Sequence, residues 1–485
     1  MKKPAIQMSD VVFFAVFVSV LASGAQMLSI DSDLGRHITL GNYILDNRIV
    51  PTRDIFSHTL IGESRPPYEW LSQVMFAISN RLLGLDGVIL LTAIIVGTSI
   101  LVVFRHSMHR NGMSLVAIFV TLLATAATSL HWLPRPHVIT FLLLALWIHN
   151  LEELRVGKSV REYVFPLIML FWANLHGGFI FGFLALAAYT AGWLFDRRQN
   201  QATGETGGKL LLVGLLSLAA SIATPDLWRN WEAVLNNHSA FILSRTVETM
   251  PPDFTDPSIA PFAILLLLST IFFLAHWRSI SASHVFLLAG LGFMSFLMAR
   301  NTPLFAIAST PILTELISKS LNQTSRWKKI EMRFAFFSSP RYRYLFPIMF
   351  IALATGFFSY RQSINKPIFG FNPQVFPVGA ANWLIENRPE GRMFNEFNWG
   401  GYLLYRTWPR DLVFVDSQSD FYGEPLMRDY ETTLLAKYNW RDLLEDYEVD
   451  WVIVSPQSPL ASALANDTTW KTNYQDSVAI ILQRK

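Results

Sequence analysis

Residues 30–70 read IDSDLGRHITLGNYILDNRIVPTRDIFSHTLIGESRPPYEW and gather Asp31, Asp33, His37, Asp54, His58, Glu63 and Glu69 into one polar stretch. They follow directly on Val11–Leu28, an apolar run long enough to cross a hydrocarbon core of roughly 30 Å. Titratable side chains set this densely against a membrane face predict an active centre just after the first span, in an outer loop of residues 30–86.

The rest of the composition agrees with a membrane. Of 485 residues, 52% are hydrophobic and only 15% charged, with a mean hydropathy of +0.32. A water-soluble chain of this size could not bury so much apolar surface, so the protein is an integral membrane protein. An aromatic content of 14%, including 15 Trp, suits many interfaces with lipid headgroups. The absence of Cys excludes disulfides, thiolate metal sites and a cysteine nucleophile. No GxxxxGK[ST] or GxGxxG loop is present to hold a nucleotide; a net charge of +3 says little about partners until the charges are placed, and no nucleic-acid partner is expected. MKKPAIQMSD ahead of the first apolar run lacks a small-x-small cleavage site, so that run reads as an uncleaved span.

Further apolar runs follow at Gly87–Phe104, Ser114–Leu130, Val138–Ile148, Val164–Leu175, Phe179–Leu194, Leu210–Ala223, Ile259–Ala275, Val285–Met298, Leu304–Ile317 and Leu345–Phe358, about eleven spans in all. Those near Val138 and Val164 are short and need tilt or a thinned bilayer. Lys and Arg orient the set. Lys2 and Lys3, Arg105 and Arg110, Arg155, Lys158 and Arg161, Arg197, Arg198 and Lys209, Arg278, and finally Lys319, Arg326, Lys328, Lys329, Arg333, Arg341 and Arg343 all fall on the N-terminal side. That side is therefore inside, and an odd span count sends the tail outside. The expected organisation is a polytopic α-helical membrane region, residues 1–362, followed by an extracytoplasmic α/β domain, residues 363–485. Within the tail, Leu412–Val415, Trp451–Val454 and Val478–Leu482 read as strands, and Gly379–Asn387 and Trp440–Tyr447 as helices.

The same topology puts several polar clusters at the outer ends of spans. They are HWLPRPH with His131, Arg135 and His137, ANLHGG with Asn174 and His176, TPDLWRNW with Asp226 and Arg229, VETMPPDF with Glu248 and Asp253, and ARNTP with Arg300 and Asn301. Ionisable groups near a membrane plane usually face a cavity or a functional site. Each also has a plainer role open to it. Asp31 and Asp33 suit the N-cap of a helix over His37–Leu45, Gly177–Gly178 suits a tight turn, Arg300 suits a headgroup anchor, and Glu69 suits the start of a surface helix. What separates them from chance is that all share one side. Carboxylates beside cations suit transfer from a lipid-phosphate donor: a base takes the acceptor's proton while positive groups stabilise the departing phosphate. Arg135 and Arg300 are the candidates for bidentate phosphate contact.

An acidic first outer loop, many spans and an outer C-terminal domain together resemble the GT-C superfamily of polyprenyl-phosphate-dependent glycosyltransferases. In particular the chain is similar to a group of bacterial multispan proteins whose first loop reads D-x-D-x-x-x-H-x-x-x-G, P-x-x-D-x-F-S-x-T and E-W-L. Here these are Asp31, Asp33, His37 and Gly41; Pro51, Asp54, Phe56, Ser57 and Thr59; and Glu69, Trp70 and Leu71. The RPH, NLHG and RN elements of that group stand at Arg135–His137, Asn174–Gly177 and Arg300–Asn301, and FNEFNWGGYLLY and VFVDSQSDFY match its tail. The resemblance implies an inverting glycosyltransferase of the bacterial cytoplasmic (inner) membrane, with a polyprenyl-phosphate-linked sugar as donor and a glycan, lipid or protein as acceptor. It implies a first-loop Asp as general base, Asp33 ahead of Asp31 because Asp33 and His37 stand four apart on one helix face, with Glu69 as a further candidate. His37, Arg36, His131, Arg135, His137, Asn174, His176 and Arg300 would bind substrate or phosphate. Some members use a divalent metal ion, for which Asp31, Asp33 and His37 could supply ligands. Gly35 and Arg36 depart from the group, which often carries aromatic residues there.

Two other classes compete. A transporter or flippase of lipid-linked glycan would place polar groups at mid-membrane in related halves, whereas these spans are apolar through their middles and no halves repeat. A non-catalytic envelope assembly protein would explain the tail but not the outer His, Arg and Asp clusters.

Overall fold

The computed structural model describes residues 8–110, 112–158, 160–198, 204–235, 239–322, 327, 329–331, 345–364 and 367–485. Lys2, Lys3, Arg326, Lys328, Arg333, Arg341 and Arg343, assigned above to the inner side, lie outside these residues.

Every apolar run of the sequence overlies a helix. Among the described residues eight helical stretches are long and apolar enough to cross a membrane: Met8–Ile30, Leu85–His109, Ser114–His131, His137–Arg155, Gly177–Arg198, Glu205–Ile222, Pro257–Ala275 and Ala299–Leu321. The helix at Val138 is thus longer than its apolar run, because polar residues continue it to Arg155. Val164–Leu175 and Ala282–Leu297 are shorter apolar helices, and Leu345–Ile364 carries the last run. Leu211, Leu215, Leu267, Leu274 and Phe293 stand exposed along these helices. Such a surface is stable against lipid tails and not against water.

The first outer loop is itself folded. Beyond α1 (Met8–Ile30), the chain turns into α2 (Leu34–Asn47), runs extended, and enters α3 (Trp70–Leu83) before α4 (Leu85–His109) returns through the membrane. α2 stops where Arg48 takes a left-handed φ of 57° and its amide closes on the Ile44 carbonyl. Gly41 lets α2 and α3 touch backbone to backbone, since a Cβ there would lie 2.0 Å from the Gln73 carbonyl oxygen.

The tail forms a four-stranded mixed sheet of β1 (Arg392–Asn395), β2 (Val449–Val454), β3 (Trp470–Gln475) and β4 (Ile480–Arg484) in the order β1-β2-β4-β3. β2 runs parallel to β1 and antiparallel to β4. The helices expected at the two tail positions are Val378–Asn387 and Trp440–Asp446. Leu412–Val415 is not a strand of this sheet. Val413 instead makes an isolated parallel bridge with Ser57 of the first outer loop. Alternation along β2 explains the packing: Val452 and Val454 point to a core formed with tail residues such as Tyr430 and Leu460, while Trp451 and Ile453 join a core containing Leu40, Ile44 and Phe56. One face of the sheet is therefore closed by the first outer loop.

Candidate active site

Asp31, the first residue after α1, has no exposed surface. Its Oδ1 accepts the amides of Asp33 (2.9 Å) and Leu34 (3.2 Å), so it does cap α2, and it also receives Arg135 Nε at 2.9 Å. Asp33 holds the N-cap position without capping. Its carboxylate instead faces Arg135 Nη1 at 2.8 Å, Arg36 at 3.5 Å and the Ser417 hydroxyl of the tail. Burial works against the charge on Asp33, but Arg135 and Arg36, with the Ser417 hydroxyl, outweigh it and hold the carboxyl well below the usual range. Burial pushes Asp31 the other way, upward, against the pull of Arg135. Arg135 also lies 3.3 Å from Glu248. Its guanidinium is thus neutralised by three carboxylates and is already paired before any phosphate arrives.

Glu69 sits at the N-cap of α3, midway between two imidazoles: Oε2 is 3.9 Å from His37 Nδ1 and Oε1 is 3.9 Å from His176 Nε2. Burial raises its pKa to about 7; Arg36 pulls downward and Asp33 and Asp420 push further up. His37 is turned to Glu69 and to the Gln73 amide (3.3 Å). Burial, then the charge of Arg36, keeps this imidazole neutral.

His176 has a defined proton. The Gly178 amide donates to its Nδ1 (3.0 Å), and the Thr140 hydroxyl, which itself accepts the Trp172 indole N–H (2.9 Å), lies 2.8 Å from the same nitrogen. An Nδ1 that accepts cannot carry the proton, so Nε2–H is the one presented to Glu69. Burial, His137 and Arg300 bring its pKa down to about 3. Glycine is needed at 178 because a Cβ would fall 2.6 Å from Thr140 Oγ1. Neither Thr140 nor Trp172 stood out in the sequence, since each occupies an ordinary position within an apolar run.

His137 is tied through Nε2 to the His131 carbonyl (2.7 Å) and its ring lies 6.4 Å from that of His176. His131 is buried beside it. Arg300 is exposed and makes no hydrogen bond or ion pair among the described residues, yet it acts electrostatically on His131 and His176. Asn174 is committed elsewhere. It donates to the Leu170 and Ala223 carbonyls and accepts the Trp70 indole N–H at 2.7 Å, fastening α3 to the bundle rather than facing a ligand. Asp31, Asp33 and His37 do not converge as metal ligands: the aspartates close on Arg135, His37 turns to Glu69, and no group of three His, Asp or Glu among the described residues could hold a metal ion.

The tail completes the wall. Arg36 Nε lies 3.8 Å from Asp416, and Arg65, whose role the sequence did not signal, joins Asp54 of the loop to Asp416 (2.8 Å) and Gln418 (2.8 Å). His58 Nε2–H donates to the Met393 carbonyl and Thr59 donates to that of Phe414.

Charges also collect on the face opposite to this site, contrary to the one-sided pattern expected. Glu152 is buried between Arg155 (2.6 Å), His284 (3.0 Å), Tyr189 (3.0 Å) and Arg110, and Arg110 also contacts Glu315. The sequence hid this cluster because each member looks like a headgroup anchor at its own span end.

This bundle, with a folded first outer loop and a sheet domain behind it, shares its overall fold with several solved proteins. The oligosaccharyltransferase of Archaeoglobus fulgidus, solved in the apo form, aligns with 90% of this chain and 69% of its own at a TM-score of 0.61 and 13% identity. AglB of Archaeoglobus fulgidus, solved with an inhibitory peptide and a dolichol-phosphate, aligns with 91% and 69% at 0.62 and 12%. ArnT of Cupriavidus metallidurans, in the apo state, aligns with 97% of both chains at 0.51 and 14%. At such identities the likeness is one of fold. No family model and no curated protein sequence matches the chain.

Proposed function

We propose that this protein is a membrane glycosyltransferase that moves a sugar from a polyprenyl-phosphate donor to an acceptor hydroxyl at the outer face of a bacterial inner membrane. The observation that carries the reading is Glu69: a largely enclosed carboxylate, 14% exposed, with its pKa raised to about 7 and facing His37 and His176 at the ends of the spans. Asp33 was the expected base, but a carboxylate held ionised by Arg135 and Arg36 is a weak proton acceptor, whereas one poised near neutrality is matched to the task. In this reading Glu69 takes the acceptor's proton as the acceptor oxygen bonds to the anomeric carbon. The bond from that carbon to phosphate oxygen breaks, its electron pair leaves with the polyprenyl phosphate, and a single displacement inverts the anomeric centre. Arg300, exposed and unpaired, meets the phosphate, with His176 Nε2–H beside it. Asp33 and Asp31 orient Arg135, which contributes field without being the primary phosphate ligand. No metal-dependent step enters, because the donor set does not assemble.

A direct test is transfer in vesicles that hold the purified protein and labelled polyprenyl-phosphate sugars, with a bacterial envelope extract as acceptor source. Label should leave the lipid with the wild-type chain. It should stay on the lipid with Glu69→Gln, and Arg300→Ala should raise the donor KM. Equal transfer by wild type and Glu69→Gln would overturn the mechanism.

A further inference from the structure

Glu69 also lines an opening between the first outer loop and the tail, walled by Arg36, Phe56, Tyr68, Gln73 and Gln418. Pro66 and Pro67 lead into Tyr68 with backbone torsions their rings restrict, so this wall is stiff. Two polar atoms on it are buried and make no hydrogen bond among the described residues: Arg36 Nε, on a residue 5% exposed and 3.8 Å from Asp416, and the Gln73 amide oxygen, on a residue 3% exposed. With the Gln73 amide nitrogen on His37 Nδ1 (3.3 Å), its oxygen is the end left without a hydrogen bond. Buried polar groups left without protein partners are normally completed by water or by a ligand. Here one is a donor and the other an acceptor, side by side with the aromatic surfaces of Phe56 and Tyr68.

That combination discriminates among acceptors. A sugar hydroxyl accepts from Arg36 and donates to Gln73 at once, and the C–H face of a pyranose packs on an aromatic ring. A peptide carbonyl satisfies Arg36 alone, and a lipid chain satisfies neither. The buried cations of the wall are already matched, Arg36 by Asp33 and Asp416 and Arg65 by Asp54 and Asp416, while Arg53, exposed at the rim, donates to the Gly62 carbonyl, so the buried part calls for no anionic ligand. We propose that this recess is the acceptor subsite and that it takes a neutral pyranose of a glycan, delivering one of its hydroxyls to Glu69. The inference rests on the transferase reading and narrows its acceptor.

The test is saturation-transfer NMR on the full-length protein in nanodiscs, with maltotetraose and a neutral hexapeptide of Gly, Asn and Ser as probes. Sugar signals should appear with the wild-type chain, and affinity should fall at least about tenfold in both Gln73→Leu and Gln418→Ala. Unchanged polyprenyl-phosphate binding by the two variants shows that they are folded. Saturation of the peptide and not of the sugar, or sugar binding untouched in both variants, overturns the subsite. Failure of the broader reading looks different: sugar binds at the recess, yet no label leaves the donor lipid. If transfer proceeds with an unaltered acceptor KM in both variants, the subsite alone is wrong.

Discussion

Glu69 and Asp33 belong to the same loop yet have opposite proton affinities, and the cause is their neighbours rather than their chemistry. Asp33 meets two guanidinium groups at hydrogen-bonding range or just beyond, while Glu69 meets two neutral imidazoles at 3.9 Å and no close cation. A base with a pKa raised to about 7 is active when deprotonated, so the rate should climb with pH up to about 7 and then level. Glu69→Gln should lower kcat by about 10²–10⁴ and abolish that acid limb. A wild-type profile flat from about pH 6 to 8 would exclude Glu69 as the base. Asp33→Asn should also abolish transfer while leaving folding and membrane insertion intact, but through a misplaced Arg135. The sequence brought all three carboxylates into view because they lie within 39 positions of one another, from Asp31 to Glu69. It could not rank them, since Ser417 and Arg135, which decide the charge on Asp33, come from distant parts of the chain.

At the level of elements, the first outer loop and the tail act as one unit. Gly35 of α2 and Gly401 of the helix Gly400–Thr407 meet backbone to backbone; a Cβ on Gly35 would stand 2.2 Å from the Gly401 carbonyl oxygen, and one on Gly401 would stand 2.3 Å from that of Ser32. Asp86 fastens the other end, accepting the Ile368 and Phe369 amides (2.9 and 2.8 Å) and the Arg361 guanidinium. Gly35→Ala should therefore cost about 1–3 kcal/mol through overpacking. Limited proteolysis should then cut near residues 365–375 faster than in the wild type, and an unchanged cutting rate would mean that the contact adapts without loss. Gly35 and Arg36 looked in the sequence like a departure from a pattern. They are the pair that lets the tail approach and then binds Asp416. The strands of the tail were legible only where apolar and β-branched residues run together, as in β2. β3 reads WKTNYQ and sits at the sheet edge, largely solvated, so no hydrophobic alternation marks it.

For the whole molecule the charged groups form two layers, one around Arg135 at one end of the spans and one around Glu152 at the other. The orientation expected from the distribution of Lys and Arg is open to a simple check, because the chain has no Cys. A membrane-impermeant maleimide should label Tyr438→Cys, which replaces a residue 98% exposed on the tail, in intact spheroplasts. It should label Lys158→Cys only after lysis. The reverse pattern would invert the topology and move the site to the cytoplasmic face, where nucleotide sugars become available as donors.

Apolar periods are local, and a bilayer acts on each of them separately. The amino-acid sequence by itself therefore determined the long apolar helices and the small tail of helices and strands. Sites are not local. Tertiary structure alone decided that Arg135 is paired with carboxylates, that Thr140 and Gly178 set the His176 proton, that Asn174 fastens helices, and that the tail closes the recess beside Glu69. Each of those facts depends on distances of a few ångströms between residues tens to hundreds of positions apart, which only packing brings together.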